Sequence, residues 1–332
     1  MLSNELKQIV LSKKETFDDI YGQEEVKRQL KSVLLTQRSV LIVGPPGVGK
    51  TTIAKNLTKF LGEIEYEDRF EKKNIKKKGT QRFVRIQGSP DLTVEDILGD
   101  IDPIKALKFG PLSLEAFSPG KIFKADKGIL FFDELNRCPE KLQNALLQVL
   151  QERKATIGSY DVDFDVDLFF IATMNPEDSS TEKLSDVLMD RFDVIYMTYP
   201  ETVEIEMKIV EIKGKKIEEV KFPTPLLKAL VTFVRDLRDN DKLEKVPGVR
   251  ATIGLYERAQ ANALLKSKKE ATFDDVRDAI VSVLSHRIKL KPSVQYLKDP
   301  VEFIKDEIKK FMDTTKIGVE KKGETEQDGG YP

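Results

Sequence analysis

Short apolar runs alternate with helical patterns over the first two hundred residues of the chain. Five runs have the length and composition of buried strands, at residues 39–43, 83–86, 129–132, 168–172 and 194–197. Strands covered on both faces show near-continuous apolar runs, as parallel strands do. Because helical patterns separate the runs, the sequence predicts an α/β fold with a parallel five-stranded sheet and crossover connections.

Beyond Pro200 the pattern changes to helices only. One apolar stripe recurs at helical spacing over residues 226–237, and Thr272 with Asp275 has the spacing of an N-terminal capping box for another helix. From about Thr314 the chain is polar and glycine-rich, which predicts disorder. We therefore predict four segments: a polar, peripheral N-terminal extension at 1–16, an α/β core at 17–199, a helical domain at 200–313 and a disordered tail at 314–332.

The composition of the chain argues against several classes of protein and of binding site. Lys and Arg number 55 against 56 Asp and Glu, a net charge of -1 that argues against a dedicated duplex-binding protein. The charged stretch 62–80 indicates a solvated insertion or, alternatively, a segment that contacts the phosphate backbone of a nucleic acid. The single cysteine, Cys138, and the single histidine exclude an internal disulfide and a Cys/His zinc site. No apolar run approaches 18 residues, so we expect a soluble, cytoplasmic protein without membrane insertion.

A phosphate-binding loop follows the first apolar run. The pattern G-x-x-x-x-G-K-[ST] is matched by Gly44, Pro45, Pro46, Gly47, Val48, Gly49, Lys50 and Thr51, and a helical pattern continues from Thr52. Glycines let successive backbone N–H groups point at one anion, and the helix adds its positive N-terminal end. Lys50 is expected to reach the β- and γ-phosphates, and the Thr51 hydroxyl to ligate Mg²⁺. The loop predicts binding of a nucleoside triphosphate.

The third apolar run ends in two carboxylates, Asp133 and Glu134, about 80 residues after the loop. At the end of a strand, Asp133 can hold Mg²⁺ through water, and Glu134 can polarise the water that attacks the γ-phosphate. A carboxylate base is what a hydrolase needs. The pair therefore predicts hydrolysis of the bound nucleotide.

Over residues 16–290 the chain resembles the AAA+ ATPases, P-loop NTPases with a helical lid, and within them the helix-2-insert clade. That clade contains the MoxR-like proteins, the CbbQ/NorQ-type activators and the ATPase subunit of magnesium chelatase. The resemblance is carried by segments in the family's order: 17–23, 133–139 (Asp-Glu-Leu-Asn-Arg-Cys-Pro), 146–153, 172–176 (Ala-Thr-Met-Asn-Pro), 189–192 (Met-Asp-Arg-Phe) and 249–251 (Val-Arg-Ala).

The resemblance assigns further residues. It implies that Ile20, Tyr21 and Gly22 pack on the adenine. It also implies that Asn175 is the sensor 1 residue that orients the attacking water, that Arg191 is an arginine finger, and that Arg250 opens the sensor 2 helix.

Each of these polar residues could instead have a purely structural role within its own part of the chain. Asn175 could form a turn before a proline, Arg191 could be a surface ion-pair partner, and Arg250 could cap a helix or pair with an acid. Arg137 could act across a subunit boundary or hold its own loop.

Two inserted segments are candidates for contact with a substrate. Residues 101–112 fall where the clade carries its helix-2 insert, a loop or hairpin facing the centre of a ring. Residues 155–164 alternate around a turn and fit a hairpin before sensor 1. Leu107, Phe109 and Tyr160 could touch a client, or could serve local hairpin packing.

The resemblance implies a homo-oligomer, a hexameric ring with ATP and Mg²⁺ at the subunit interfaces. Such a ring would remodel, activate or assemble client proteins, with a von Willebrand A domain protein as partner. Two alternatives compete with this reading: the ATPase motor of a metal chelatase, and a nucleic-acid translocase.

Overall fold

The computed structural model describes residues 2–12, 17–70, 72–110, 113–156, 163–176 and 184–315. It divides into two compact units, Met1–Glu201 and Thr202–Pro332. The predicted tail beyond residue 315 lies outside the described residues.

The first unit alternates strands and helices. Its strands are β1 (Ser39–Val43), β2 (Ile64–Glu67), β3 (Asn74–Lys77), β4 (Phe83–Gln87), β5 (Gly99–Ile101), β6 (Phe117–Pro119), β7 (Ile129–Asp133), β8 (Lys154–Thr156), β9 (Asp163–Asp165), β10 (Phe169–Met174) and β11 (Phe192–Tyr196). Its α-helices are α1 (Leu2–Leu11), α2 (Glu24–Thr36), α3 (Lys50–Asn56), α4 (Val94–Leu98), α5 (Pro103–Phe109), α6 (Lys121–Lys124), α7 (Glu140–Glu152) and α8 (Asp186–Met189).

The five predicted strands form one parallel sheet in the order β11-β1-β10-β7-β4. Alternate side chains enter opposite apolar clusters, as the pleat of a strand requires. Leu41, Leu130 and Phe170 pack on the face that includes α7. Ile42 and Phe131 pack on the face that includes α1, α2 and α3. The predicted α/β class and the five-stranded parallel sheet are confirmed.

The strand register aligns the carboxyl ends of the sheet. Val43 pairs with Met174, Ala172 with Phe132, and Gln87 with Asp133. The loops that leave β1, β4, β7 and β10 therefore emerge at one edge, where ligands of open α/β sheets bind.

The N-terminal segment is not peripheral, contrary to our expectation. Leu2 and Leu6 of α1 are buried in the sheet's core. Glu5 accepts hydrogen bonds from Arg82 Nη1 at 2.8 Å and Nη2 at 2.7 Å, and Arg82 is 1% exposed. Burial raises the pKa of Glu5, but the hydrogen bonds from Arg82 and Gly62 outweigh it and the pKa is lowered. The polar composition of the segment did not predict a buried helix, because Arg82, which pairs with Glu5, lies 77 residues away in the sequence.

The charged stretch 62–80 contains structure that the composition did not predict. β2 and β3 pair antiparallel, with Glu65 opposite Lys76. Lys76 pairs with Glu63 at 2.5 Å, and Lys77 lies 5.4 Å from the centre of the Tyr66 ring. These lysines already have acidic or aromatic partners, so the hairpin fits the solvated-insertion reading better than a phosphate-binding surface.

The second unit is a small helical domain with a minor strand pair. Its elements are α9 (Val203–Lys213), α10 (Thr224–Arg238), β12 (Leu243–Lys245), α11 (Val249–Leu265), α12 (Phe273–Leu284), β13 (Lys289–Leu290), α13 (Pro292–Gln295) and α14 (Pro300–Thr315). The predicted helical domain is confirmed, but it does not consist of helices only. Strands β12 and β13 pair antiparallel, over too few residues to show alternation in the sequence. The predicted capping box is present, with Asp275 accepting from the Thr272 backbone N–H at 3.0 Å.

No helix in the described ranges is long and apolar enough to cross a membrane.

Candidate active site

The phosphate loop connects the end of β1 to the start of α3. Gly47 and Gly49 have φ angles of 84° and 104°, a region that side chains with a Cβ avoid. A Cβ on Gly44 would lie 2.1 Å from the Met197 carbonyl oxygen, so only glycine fits beside the chain that leaves β11. Pro45, Pro46 and Val48 fill the loop between these glycines. The glycines therefore meet requirements of backbone geometry.

Lys50 and Thr51 open α3 and turn toward the loop and the sheet. Lys50 Nζ donates hydrogen bonds to the carbonyl oxygens of Gly44 and Pro45, the second at 2.9 Å. Thr51 Oγ1 donates to Asp133 Oδ2 at 3.1 Å. Thr52 continues the helix, and its carbonyl accepts from Asn56 Nδ2 at 3.0 Å. The fold thus joins the loop to the carboxylate 82 residues later.

The chain turns sharply as it leaves β7. Asp133 is the last residue of the strand, and Glu134 has φ 58° and ψ 53°, a left-handed conformation that is uncommon outside glycine. Such strained positions cluster at functional sites when the surroundings hold them. Here the Glu134 backbone N–H donates to Thr173 Oγ1 at 2.9 Å. The carboxylate pair sits at a turn held by its neighbour strand.

Thr173 is a residue that the sequence reasoning missed. It is fully buried in β10, and its hydroxyl donates to Asp133 Oδ1 at 2.6 Å while accepting from the Glu134 N–H. One side chain therefore fixes both carboxylate residues. A threonine at the end of an apolar run, two residues before Asn175, was the available signal.

Arg85 and Gln87 of β4 were also missed. Both share a face with Asp133, since Gln87 pairs with Asp133 in register and Arg85 lies two residues earlier. Arg85 Nη2 donates to Asp133 Oδ2 at 2.6 Å and to Gln87 Oε1 at 2.9 Å. Gln87 Nε2 donates to Glu134 Oε2 at 2.9 Å. Polar residues at alternate positions of an otherwise apolar strand were the signal.

Arg137 and Asn136 follow the carboxylates. Arg137 Nη1 lies 3.2 Å from Glu134 Oε2, an ion pair within its own loop. Asn136 Nδ2 donates to the Asn175 carbonyl oxygen at 3.3 Å. Asn175 follows directly after β10, at the same edge of the sheet as Glu134. The structure therefore brings Asn175 to the carboxylate edge.

Cys138, further along this loop, is buried, and burial raises the pKa of its thiol to about 11. A protonated, buried thiol is not a nucleophile.

Residues 20–23 lie beside the phosphate loop. Gln23 Nε2 donates to the Thr198 carbonyl oxygen at 2.8 Å, and Met197 N donates to the Val43 carbonyl oxygen at 2.8 Å. Ile20 is buried, Tyr21 is half-buried, and Gly22 has φ 67°. The segment is thus tied to the chain that leaves β11 next to the loop.

Arg191 lies at the opposite edge of the sheet. It precedes Phe192, which pairs with Ser39 at the start of β1, whereas the phosphate loop follows the end of β1. Its guanidinium donates to Asp190 Oδ2 and to Gln151 Oε1, both at 3.1 Å. A five-residue strand spans roughly 15 Å, so Arg191 is not grouped with Lys50 of the same chain.

Arg250 is exposed as the second residue of α11, in the second unit.

The two inserts differ in how far they match the expectation. Between β5 and β6, which pair antiparallel, lies the short helix α5 and not only a loop or hairpin turn. Asp102 caps it by accepting from Ile104 N at 2.9 Å. Leu107 is 91% exposed and Phe109 49%, so neither is part of a core. In the second insert β8 and β9 pair antiparallel, and the predicted contact residue Tyr160 lies outside the described residues.

Comparison with known proteins matches this architecture. Residues 39–192 match the family described as AAA domain (dynein-related subfamily), and residues 245–307 match the AAA lid domain. The first range includes the phosphate loop and both carboxylates, and the second includes Arg250.

Three curated proteins are similar over most of their length. The uncharacterized protein YeaC of Bacillus subtilis is 26% identical over 324 residues, 90% of this chain and 92% of that protein. Chaperone MoxR1 of Mycobacterium tuberculosis is 28% identical over 300 residues, 82% and 73% of the two chains. The magnesium-chelatase subunit ChlI homolog of Methanocaldococcus jannaschii is 26% identical over 342 residues, 88% and 91%.

Proposed function

The chain belongs to the AAA+ ATPases, and from that premise we propose that it is a MoxR-like motor that remodels, activates or assembles client proteins. Its subunits form a hexameric ring and act with a von Willebrand A domain protein. The observation that carries the proposal is the contact of the phosphate-loop Thr51 with Asp133, next to Glu134, since this joins nucleotide binding to a hydrolytic base. The similarity to a chaperone supports a protein client.

ATP binds on the loop from Gly44 to Thr52, with its base against Ile20, Tyr21 and Gly22. Backbone N–H groups of the loop and the N-terminal end of α3 hold the phosphates. Lys50 exchanges its contacts with the loop carbonyls for the β- and γ-phosphates, because an ammonium gains more from a charged oxygen than from a neutral one.

Thr51 and Asp133 suit a magnesium ion. Mg²⁺ prefers oxygen ligands and in phosphate sites uses one or two protein groups, with waters and phosphate oxygens completing its shell. A hydroxyl 3.1 Å from a carboxylate fits that donor set. Within the described ranges no cluster of three or more His, Cys, Asp or Glu offers an all-protein cage. When bound, the ion would neutralise charge on the phosphates.

Glu134 accepts a proton from the attacking water, and Asn175 helps to orient that water. The ion pair with Arg137 and the hydrogen bond from Gln87 hold the Glu134 side chain in its own loop. Arg191 acts on the site of the neighbouring subunit, because its own phosphate loop is at the other edge of its sheet. We assign Arg250, at the start of α11, the role of the sensor 2 residue. Hydrolysis drives the insert helix α5, with Leu107 and Phe109, against the client.

Mixing two inactive variants tests the ring. Lys50→Ala loses ATP binding, and Arg191→Ala binds ATP but hydrolyses it poorly, since an arginine finger contributes about 10³–10⁵ in rate. In mixed rings some interfaces combine an intact Lys50 with an intact neighbouring Arg191, so activity should partly return. The matched control mixes Lys50→Ala with Glu134→Gln. Both of these defects lie on the same side of the interface, so that mixture should stay inactive.

Recovery in the first mixture alone supports the proposal. If light scattering confirms co-assembly and neither mixture recovers, the action of Arg191 on a neighbour is wrong, and Arg191 is a structural ion-pair residue.

A metal-chelatase motor is the second candidate, favoured by the similarity to the ChlI homolog over 88% of this chain. The genes adjacent to the one that encodes this chain distinguish the two candidate functions. An adjacent von Willebrand A gene alone supports client remodelling, whereas adjacent chelatase genes support the chelatase motor. The translocase reading has less support, since the net charge is -1. Stimulation of ATP hydrolysis by single- or double-stranded DNA would reverse that judgement.

A further inference from the structure

Arg85 forms an ion pair with the carboxylate on which the proposed magnesium site depends. Asp133 Oδ1 is engaged by the buried Thr173 hydroxyl at 2.6 Å. Asp133 Oδ2 receives both Thr51 Oγ1 at 3.1 Å and Arg85 Nη2 at 2.6 Å. The carboxylate has little exposure, 10%, whereas Arg85 is 45% exposed. A guanidinium that reaches in from solvent thus neutralises a nearly buried carboxylate.

The strand register makes this contact a fixed property of the fold. Arg85 pairs with Phe131 and Gln87 with Asp133, so Arg85 lies one pleat period before the carboxylate on the same face of the sheet. Phe83, one further period back, stacks on Phe131 with ring centres 5.6 Å apart and anchors the strand on this face. The arginine can leave Asp133 without losing every acceptor, because Gln87 Oε1 lies 2.9 Å from the same nitrogen.

We propose that Arg85 is an exchangeable counter-ion of Asp133, which pairs with the carboxylate and would give it up to the divalent cation that accompanies ATP. This inference rests on the proposed binding of ATP and Mg²⁺ by Lys50, Thr51 and Asp133. Two cations beside one carboxylate repel each other, so the guanidinium and the metal would compete for Asp133. Arg85 therefore sets how strongly ATP binding depends on Mg²⁺.

The proposal predicts the effect of removing the charge. Arg85→Met keeps an unbranched side chain of similar reach but cannot pair with Asp133. Without the competitor, Mg²⁺ should strengthen ATP binding by a larger factor than it does in the wild type. Loss of the positive charge also weakens binding of the ATP anion in general, but that effect is present with and without metal. The ratio of the two dissociation constants isolates the competition.

The experiment titrates the full chain with a fluorescent ATP analogue, once with Mg²⁺ and once with EDTA. We expect the ratio of Kd in EDTA to Kd in Mg²⁺ to rise about three- to tenfold in Arg85→Met, the size of a partly exposed charge pair. Arg85→Lys keeps a cation and should move the ratio less. In an Asp133→Asn background, Arg85→Met should leave the ratio unchanged, because the shared carboxylate is gone.

Other results overturn the proposal. An unchanged ratio in a variant that melts like the wild type makes Arg85 a surface ion-pair residue without influence on metal. A fall in the ratio means that Arg85 assists the metal-bound nucleotide. If Arg85→Met does not fold, Arg85→Gln provides the same comparison. Failure of the wild type to bind the analogue, or normal binding by Lys50→Ala, contradicts the proposed nucleotide site itself and is distinguishable from either result.

Discussion

Replacing Thr173 by valine removes one hydroxyl from the centre of the candidate site. Valine has nearly the same shape, so the fully buried position stays filled. The change deletes the 2.6 Å hydrogen bond to Asp133 Oδ1 and leaves the Glu134 backbone N–H without the acceptor it has at 2.9 Å. Both carboxylate residues lose the group that fixes them relative to the phosphate loop.

The expected losses of stability and of kcat in Thr173→Val follow from these two contacts. A hydrogen bond to a charged group contributes about 1.5–3 kcal/mol, and an orphaned buried donor costs about 1–3 kcal/mol. Together these two losses should lower the free energy of unfolding by about 2.5–6 kcal/mol. If the Asp133 bond acts equally in catalysis, 1.5–3 kcal/mol corresponds to a decrease in kcat of about 10- to 150-fold. Affinity for the nucleotide should change less, because the hydrogen bonds of the Thr173 hydroxyl go to Asp133 and Glu134.

Steady-state phosphate release, titration with a fluorescent nucleotide and urea unfolding measure the three quantities. Thr173→Ser is the matched control, since it restores the hydroxyl and loses only a methyl group. We expect it to recover most of kcat. A folded Thr173→Val with kcat within twofold of the wild type would refute the reasoning, because the carboxylates would then be held without the hydroxyl.

The remaining predictions concern three other parts of the chain. Glu134→Gln should bind ATP normally and lose turnover in a phosphate-release assay, because the amide keeps the shape but accepts no proton; normal turnover would remove this residue from catalysis. Leu107→Ala with Phe109→Ala should keep basal ATPase activity and weaken client-stimulated activity, since both side chains are exposed; a loss of several kcal/mol in a denaturant melt would instead make them core residues. Glu5→Gln should cost about 2 kcal/mol in urea unfolding at neutral pH, because the buried Arg82 loses its charged partner but keeps backbone carbonyl acceptors. The pKa of Glu5 is lowered on folding from 4.5, so its contribution is present above pH 4.5 and lost as the pH falls through the folded pKa; a difference between variant and wild type that persists in more acidic buffer would contradict this.

The sequence determined the features that depend on neighbours along the chain. Five apolar runs separated by helical patterns were enough for the parallel sheet, because burial on both faces leaves a local signature. The phosphate loop could also be predicted from local sequence. Its glycines, which allow positive φ angles, and the start of the following helix lie within nine residues of one another. The family matches confirm the resemblance that these motifs carried.

Only the tertiary structure brought Arg85, Gln87 and Thr173 to the carboxylates. Their contacts with Asp133 and Glu134 join residues 39 to 48 positions apart, and strand order with register decides which side chains meet at that distance. A periodic pattern tells which residues share a face, but it does not tell which strands are neighbours. The burial of α1 also depends on a long-range contact. Glu5 makes the segment look solvent-exposed in the sequence, but Arg82, 77 residues away, pairs with it. Local patterns thus specify the elements, and long-range pairing specifies the polar network of the site.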